Sequence, residues 1–260
     1  MLLTPACAAP HGDHAAGRVH SNPFVRDQGG IVRGDVRQRR LALIFTGGEH
    51  GEGTGHILDT LARCGAKASF FVTGDYLARA AHRPFLRRIV AEGHYLGPHS
   101  HAHPVYCAWE DRNLTRVTRR VFERDLQRNI DALQTWGACP HGSPIYFVPP
   151  YEWYNAEQVA WATDMGVTLI NFTPGSGSNR DWIPEGQPGF VPSETIIRDI
   201  LAQENRDPHG LNGNLLLLHL GAQRVDKVHF RLGELIEPLR ARGYDFVTVE
   251  ALLGAHHPPG

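Results

Sequence analysis

Leu215-Leu216-Leu217-Leu218-His219 decides the architecture. The run is too short for a membrane helix and lacks the alternation of a half-exposed strand, so it reads as a strand covered on both faces. Strands of that kind belong to parallel sheets, whose crossovers are made by helices. Working outward, six more apolar runs read as strands: residues 41–46, 68–73, 95–98, 145–148, 167–171 and 246–249. Between them, residues 55–64, 76–92, 116–136, 155–165, 193–204 and 228–242 place apolar side chains three and four apart, the spacing of amphipathic helices. Ser193-Glu194-Thr195 is a helix start, and Gly243 after Arg242 is a stop. Seven strands alternating with helices predict an α/β fold, either a barrel or a doubly wound sheet.

The rest of the chain sets limits. With 260 residues, 42% hydrophobic and 20% charged, it has the composition of a globular protein with one large core. The 26 Lys and Arg against 27 Asp and Glu give a net charge of -1, which offers nothing to neutralise a nucleic-acid backbone. No apolar stretch is long enough to span a membrane as a helix. Residues 1–39 read as a leader and an irregular arm, and residues 40–260 as a single domain. The start, Met1 to Cys7, resembles the end of a lipoprotein signal but lacks its basic region, so a lipid anchor at Cys7 stands beside an incidental cysteine. Cys7, Cys64, Cys107 and Cys139 are too scattered for a zinc knuckle or a disulfide framework.

Chemistry gathers where the strands end. Gly97-Pro98-His99-Ser100-His101-Ala102-His103-Pro104 carries histidines at alternate positions. On a helical turn His99 and His103 share a face and can hold one metal; on an extended chain all three share a side; a surface cluster is the plain alternative. The turn after residues 41–46 displays Glu49, His50 and Glu52 among glycines, as a ligand-approaching loop or as a flexible turn with solvated acids. Val148-Pro149-Pro150-Tyr151-Glu152-Trp153-Tyr154 is either a platform for a sugar or an aromatic plug, and Glu152 among rings suits an acid or base. Asp181, Trp182 and His219 supply a carboxylate, an indole and an imidazole. All of these segments lie at or after C-terminal strand ends, which in a barrel share one face.

In their order and spacing these segments resemble the polysaccharide deacetylases of the NodB-homology type, carbohydrate esterase family four, over about residues 41–253. The matching stretches are the opening strand with its glycine turn, Ala68 to Gly74, Gly93 to Pro104, Val148-Pro149-Pro150-Tyr151, Asp181-Trp182 and Leu217-Leu218-His219. The resemblance implies a distorted barrel of about seven parallel strands. It also implies a divalent metal, zinc first with cobalt or nickel as alternatives, and hydrolysis of N- or O-acetyl groups on a peptidoglycan-type or other glycan; a site of two histidines and one carboxylate would accept iron as well. By position, His99 and His103 would ligate the metal. His219 would protonate the leaving group, and Asp181 would orient it. Tyr151 would offer a backbone N–H to the oxyanion, with Trp153 beside it, and Leu217 and Trp182 would wall the acetyl pocket. The expected location is the periplasm or cell envelope.

Two departures from the family pattern matter. The catalytic base and the metal-binding aspartate of the first motif are here Thr46 and Gly47, and the arginine that pairs with the base is Val148. Losing base and partner together avoids an orphaned buried charge. Glu49 is the expected replacement ligand, with His50 as its alternative, and Glu152 the expected base; Glu49 as base with a two-histidine metal site is the other arrangement. His101 has no assigned role. A noncatalytic glycan-binding protein on the same scaffold is the competing reading.

Overall fold

The structure is a computed structural model, and it describes residues 23–254. Its centre is a parallel sheet of β3 (Arg40–Gly47), β4 (Ala68–Val72), β5 (Tyr95–Pro98) and β8 (Leu215–His219), in the order β5-β4-β3-β8. β9 (Asp245–Phe246) pairs with the first residues of β3. A second parallel pair, β6 (Ile145–Phe147) and β7 (Val167–Leu169), continues from β5 through the Val148 N–H to Pro98 carbonyl bond. Six of the seven expected strands are present, some shorter than their apolar runs; the one expected over 246–249 is corrected to the two residues Asp245–Phe246, because Thr248 caps a helix that begins at Val249.

Two further strands close the circuit, and here the expectation of an irregular arm up to residue 39 is corrected. β1 (Val25–Asp27) and β2 (Gly30–Arg33) form an antiparallel hairpin. Its turn residues, Gln28 at φ 48° and Gly29 at φ 92°, have the left-handed backbone that two-residue hairpins require. β2 then wedges between β7 and β8. Ile31 pairs with Ile170, and Arg33 with Asn214. Thr173 Oγ1 donates to the Val32 carbonyl at 2.6 Å and accepts from the Leu215 N–H at 2.9 Å. The folded unit therefore begins before β3, while the expected leader and Cys7 lie outside the described residues.

Helices α1 (Thr54–Cys64), α2 (Gly74–Ala78), α3 (Arg83–Ala91), α4 (Arg119–Gln134), α5 (Ala156–Asp164), α6 (Ser193–Arg206), α7 (Leu232–Ala241) and α8 (Val249–Leu253) surround the strands. The helix expected over 76–92 is broken. α2 ends at Ala78, a single 3-10 turn follows, and Pro84 opens α3, where its missing N–H costs nothing. α5 starts in a capping box made by Asn155 and Gln158, which fixes the chain directly after the aromatic segment.

Strand alternation divides the buried residues into two cores. Leu41, Leu43, Phe45, Phe70, Val72, Leu216 and Leu218 face the helices. Ala42, Ile44, Phe71, Tyr95, Tyr146, Val148, Leu215 and Leu217 fill the barrel interior. The same alternation carries upward: two residues past Ile44 is Thr46, and two past Leu217 is His219. Parallel register sets Thr46 and His219 side by side at the C-terminal mouth, above an apolar floor.

Candidate functional site

The mouth is built on His219. Asp181 arrives in the loop after β7, on a 3-10 turn anchored by the Arg180 to Asp199 ion pair at 2.8 Å. Its Oδ1 accepts from His219 Nδ1 at 2.6 Å and its Oδ2 from the His219 backbone N–H at 2.8 Å. Burial pulls the imidazole pKa down, but the Asp181 carboxylate and the nearby Glu152 pull it further the other way, so the net shift is upward. With Nδ1 committed to Asp181, Nε2 is the nitrogen left for a ligand.

Across the mouth, His99 and His103 meet without forming a helix or an extended run. Ser100 and His103 both have left-handed backbone, φ 65° and 53°, and the His103 N–H donates to Ser100 Oγ at 2.9 Å. This turn brings the two Nε2 atoms to 3.2 Å. His99 Nδ1–H donates to the Val148 carbonyl at 2.8 Å, which leaves the lone pair on Nε2. Burial, with His103 adding, holds His99 well below the ordinary range, and burial, with His219 adding, holds His103 at about 4. Both rings are neutral near pH 7.

Glu152 completes the group. Tyr151 and Glu152 follow the proline pair with left-handed backbone, φ 58° and 53°, and Asn171 Nδ2 donates to the Glu152 carbonyl at 2.8 Å. Two consecutive non-glycine residues in this region mark a segment held by its surroundings. The enclosed carboxyl is raised to about 7 by burial, against the pull of His219 and with the repulsion of Asp181. Those electrostatic couplings put Glu152, His219 and Asp181 in one neighbourhood.

Other residues singled out from sequence fall differently. Leu217 is fully buried beneath His219, part of the floor. Tyr151 packs its ring 4.4 Å from His103, while Trp153 stacks with Trp109 at 6.0 Å. Trp182 stands 53% exposed beside Asp181. His101 turns away: its ring lies over Gly74, where a Cβ would come within 2.3 Å of it. Glu49 is exposed, His50 is half-buried, and among the described residues no three His, Cys, Asp or Glu side chains converge as a metal cage. The expected union of Glu49 with the histidine pair is therefore not formed. The reason is next door: Glu52 ties the glycine turn to the loop after β8, accepting from the Ala222 N–H at 3.1 Å and from Lys227.

Three contributors escaped the sequence reading. Asn129 Oδ1 accepts the His99 N–H at 3.0 Å, and Asp125 receives the N–H groups of His101 and Ala102 at 2.8 and 2.9 Å. Both lie on α4, and the signal was a buried Asn interrupting the apolar stripe of Phe122, Leu126, Ile130 and Leu133. Trp109, in the loop after the histidine turn, is the third.

Residues 33–170, more than half of the chain, match the family model for polysaccharide deacetylase. The chain belongs to the polysaccharide deacetylase family. Among curated members, it is 26% identical over 221 residues to a peptidoglycan-N-acetylglucosamine deacetylase of Bacillus cereus, covering 84% of this chain and 70% of that one. It is 28% identical over 183 residues to a chitooligosaccharide deacetylase of Rhizobium leguminosarum bv. trifolii, covering 70% and 72%. Among solved structures, it resembles a peptidoglycan N-acetylglucosamine deacetylase with a TM-score of 0.67 at 23% identity, covering 86% and 92%. It also resembles a CE4 family pseudoenzyme from Bacillus anthracis with a TM-score of 0.64 at 19% identity, covering 88% and 70%. These two likenesses establish the fold, the distorted NodB-like barrel of this deacetylase family.

Proposed function

We propose that this deacetylase-family protein hydrolyses acetyl groups, N- or O-linked, from a glycan of the peptidoglycan or chitooligosaccharide class. The observation that carries the reading is the Asp181–His219–Glu152 group facing the His99/His103 pair. Water adds its oxygen to the acetyl carbon as Glu152, whose pKa near 7 suits a base at neutral pH, takes its proton. His219, its pKa raised and its ring oriented by Asp181, gives a proton to the departing sugar nitrogen or oxygen as the carbon–nitrogen or carbon–oxygen bond breaks. The products are acetate and a free amine or hydroxyl.

The histidine pair fits a divalent cation in protonation state and in spacing, since two ligands of a tetrahedral zinc lie about 3.3 Å apart. Such a cation, zinc, cobalt, nickel or iron, would polarise the acyl oxygen and acidify water. The residues fall short in number, because catalytic zinc ordinarily keeps three protein ligands. Glu49 remains the proposed third, after a movement of its turn; His50 is the alternative. Tyr151 offers its backbone N–H at the mouth, while Trp153 and Trp182 border the acetyl-bearing sugar and Leu217, fully buried, packs the floor under it rather than touching it. The location that goes with a peptidoglycan substrate is the cell envelope, and it is part of this proposal. Among the described residues no helix is long and apolar enough to cross a membrane.

The missing third ligand and the loss of both first-motif carboxylates favour a second reading, glycan binding without turnover, and one fold neighbour is a pseudoenzyme. Acetate release separates the two. Metal-reconstituted protein is expected to free acetate from N-acetylated chitooligosaccharide or acetylated peptidoglycan, and Glu152→Gln and His219→Ala to lose that activity. Glycan binding that persists under chelation with no acetate from any of these substrates overturns the hydrolase reading.

A further inference from the structure

Arg224 lies in the loop after β8, and its side chain is completely buried. A guanidinium taken out of water in this way is tolerable only where fixed acceptors answer its donors. Here they do. Nε donates to the Asp226 carbonyl at 2.5 Å, and Nη2 to the Val191 carbonyl at 2.8 Å, the Asp226 carboxylate at 3.2 Å and Ser193 Oγ at 3.4 Å. Nη1 donates to the Arg180 carbonyl at 3.4 Å, and the guanidinium carbon sits 4.7 Å over the Phe190 ring.

These acceptors come from three stretches of chain: the 3-10 turn that leads to Asp181, the segment entering α6, and the loop of Arg224 itself. Arg180 directly precedes Asp181. Its side chain reaches Asp199 on α6 at 2.8 Å and the Gly177 carbonyl at 2.9 Å, so it is held by its guanidinium on one side and by its carbonyl, through Arg224, on the other. Ser193 at the start of α6 is fastened to the same loop, its N–H and hydroxyl donating to Asp226 at 2.6 and 3.1 Å. Asp181 gives one carboxylate oxygen to the His219 ring and the other to its backbone, so what aims the carboxylate is the chain that carries it. Apolar residues of similar volume commonly hold a buried site as firmly as a buried charge does. What the planar fork of an arginine adds is a fixed direction for each acceptor.

We propose that Arg224 is a positioning residue for the Asp181–His219 pair, fixing the carbonyl ahead of Asp181 so that the carboxylate meets both the ring and the backbone N–H of His219. It touches neither the reacting atoms nor the sugar. Its hold on the pair stands on the geometry alone, and its bearing on acetate release rests on the hydrolase reading above.

NMR titration of the His219 ring, assigned against His219→Ala, tests this in wild type, Arg224→Met, Arg224→Lys and Arg33→Met, with urea melts and acetate release from N-acetylated chitooligosaccharide in parallel. Arg33 is the control for stability. Its guanidinium is also nearly buried, bonded to Asp207 at 2.7 Å and to the Asn212 and Gly210 carbonyls at 2.8 and 2.9 Å, but it lies beside Asn214, at the opposite end of β8 from His219. Arg224→Met is expected to lower the pH at which His219 titrates and to slow acetate release about 10- to 100-fold through kcat, with KM little changed and Arg224→Lys recovering part of both. Arg33→Met is expected to lower the urea midpoint and leave the His219 titration where it was. A titration unmoved in Arg224→Met, or moved as far in Arg33→Met, overturns the proposal. Should Arg224→Met fail to fold, Arg224→Lys decides, because it keeps the charge and loses the fork: an unmoved His219 overturns the proposal there too. A moved titration in a protein that releases no acetate leaves the positioning role standing and sinks the hydrolase reading alone.

Discussion

Asp181 grips His219 at two points, ring and backbone, with one carboxylate oxygen for each. The geometry fixes the ring and its charge together. Asp181→Asn keeps the shape and removes the charge, so the His219 pKa should fall and acetate release should drop on the order of 10²- to 10⁴-fold. The sign for stability follows from a raised pKa. His219 stabilises the fold fully below its unfolded value of 6.5, and that contribution fades as pH rises through the higher folded value. Ring NMR titration and thermal midpoints across this range should show the dependence in wild type and its loss in Asp181→Asn. An unmoved titration would refute the coupling.

Glu152 behaves oppositely to a salt-bridged carboxylate. Its pKa is raised from 4.5 to about 7, so the folded state is disfavoured progressively as pH climbs through that interval. Glu152→Gln should therefore be more stable than wild type near pH 8 by on the order of 2 kcal/mol, allowing for partial solvation, and show no such gain in acid. Acetate release should meanwhile fall about 10²- to 10⁴-fold. Urea melts at both pH values decide the first point. Equal stability at both would mean that the carboxyl is not desolvated.

The mouth of the barrel was more legible than its closure. A strand ending in His219 and a proline pair ending in Glu152 announce themselves, because functional side chains follow apolar runs in parallel barrels. The Gln28-Gly29 hairpin was also written in the chain, as a glycine turn flanked by Val25 and Ile31-Val32, but strands of three and four residues compete poorly with the periodicity of longer elements. The placement of Glu49 was not legible at all. It depends on Glu52 finding Lys227, 175 positions away. His101 shows the same limit: its alternation with His99 holds on paper, whereas the left-handed Ser100 turns it toward Gly74.

The histidine pair should hold about one equivalent of divalent metal, and His99→Ala/His103→Ala none, as measured by elemental analysis after zinc reconstitution. The single His99→Ala change should also weaken the mouth itself, because it leaves the Val148 carbonyl without its donor and empties the space the buried ring fills, while the backbone N–H to Asn129 is kept. A wild-type protein that takes up no metal would remove the cation from the mechanism.

Thr46 and Gly47, at the positions of the absent carboxylates, differ in what they tolerate. Thr46 Oγ1 is buried with no hydrogen-bond partner, a cost that Thr46→Val removes without changing shape. That variant should be about 1 kcal/mol more stable in urea melts of the ligand-free protein. Gly47 is closed in: a Cβ there would lie 2.6 Å from Leu220 Cδ1 and 3.1 Å from the Tyr76 ring, and both residues are fully buried. Gly47→Ala should cost about 1–3 kcal/mol. Gly47→Asp alone should therefore destabilise the fold and add no metal affinity, because the space for the side chain is filled by Leu220. Pairing Gly47→Ala with Leu220→Ala should cost less than the sum of the two single changes, the mark of residues competing for one volume. Strict additivity in that cycle would place the obstruction elsewhere.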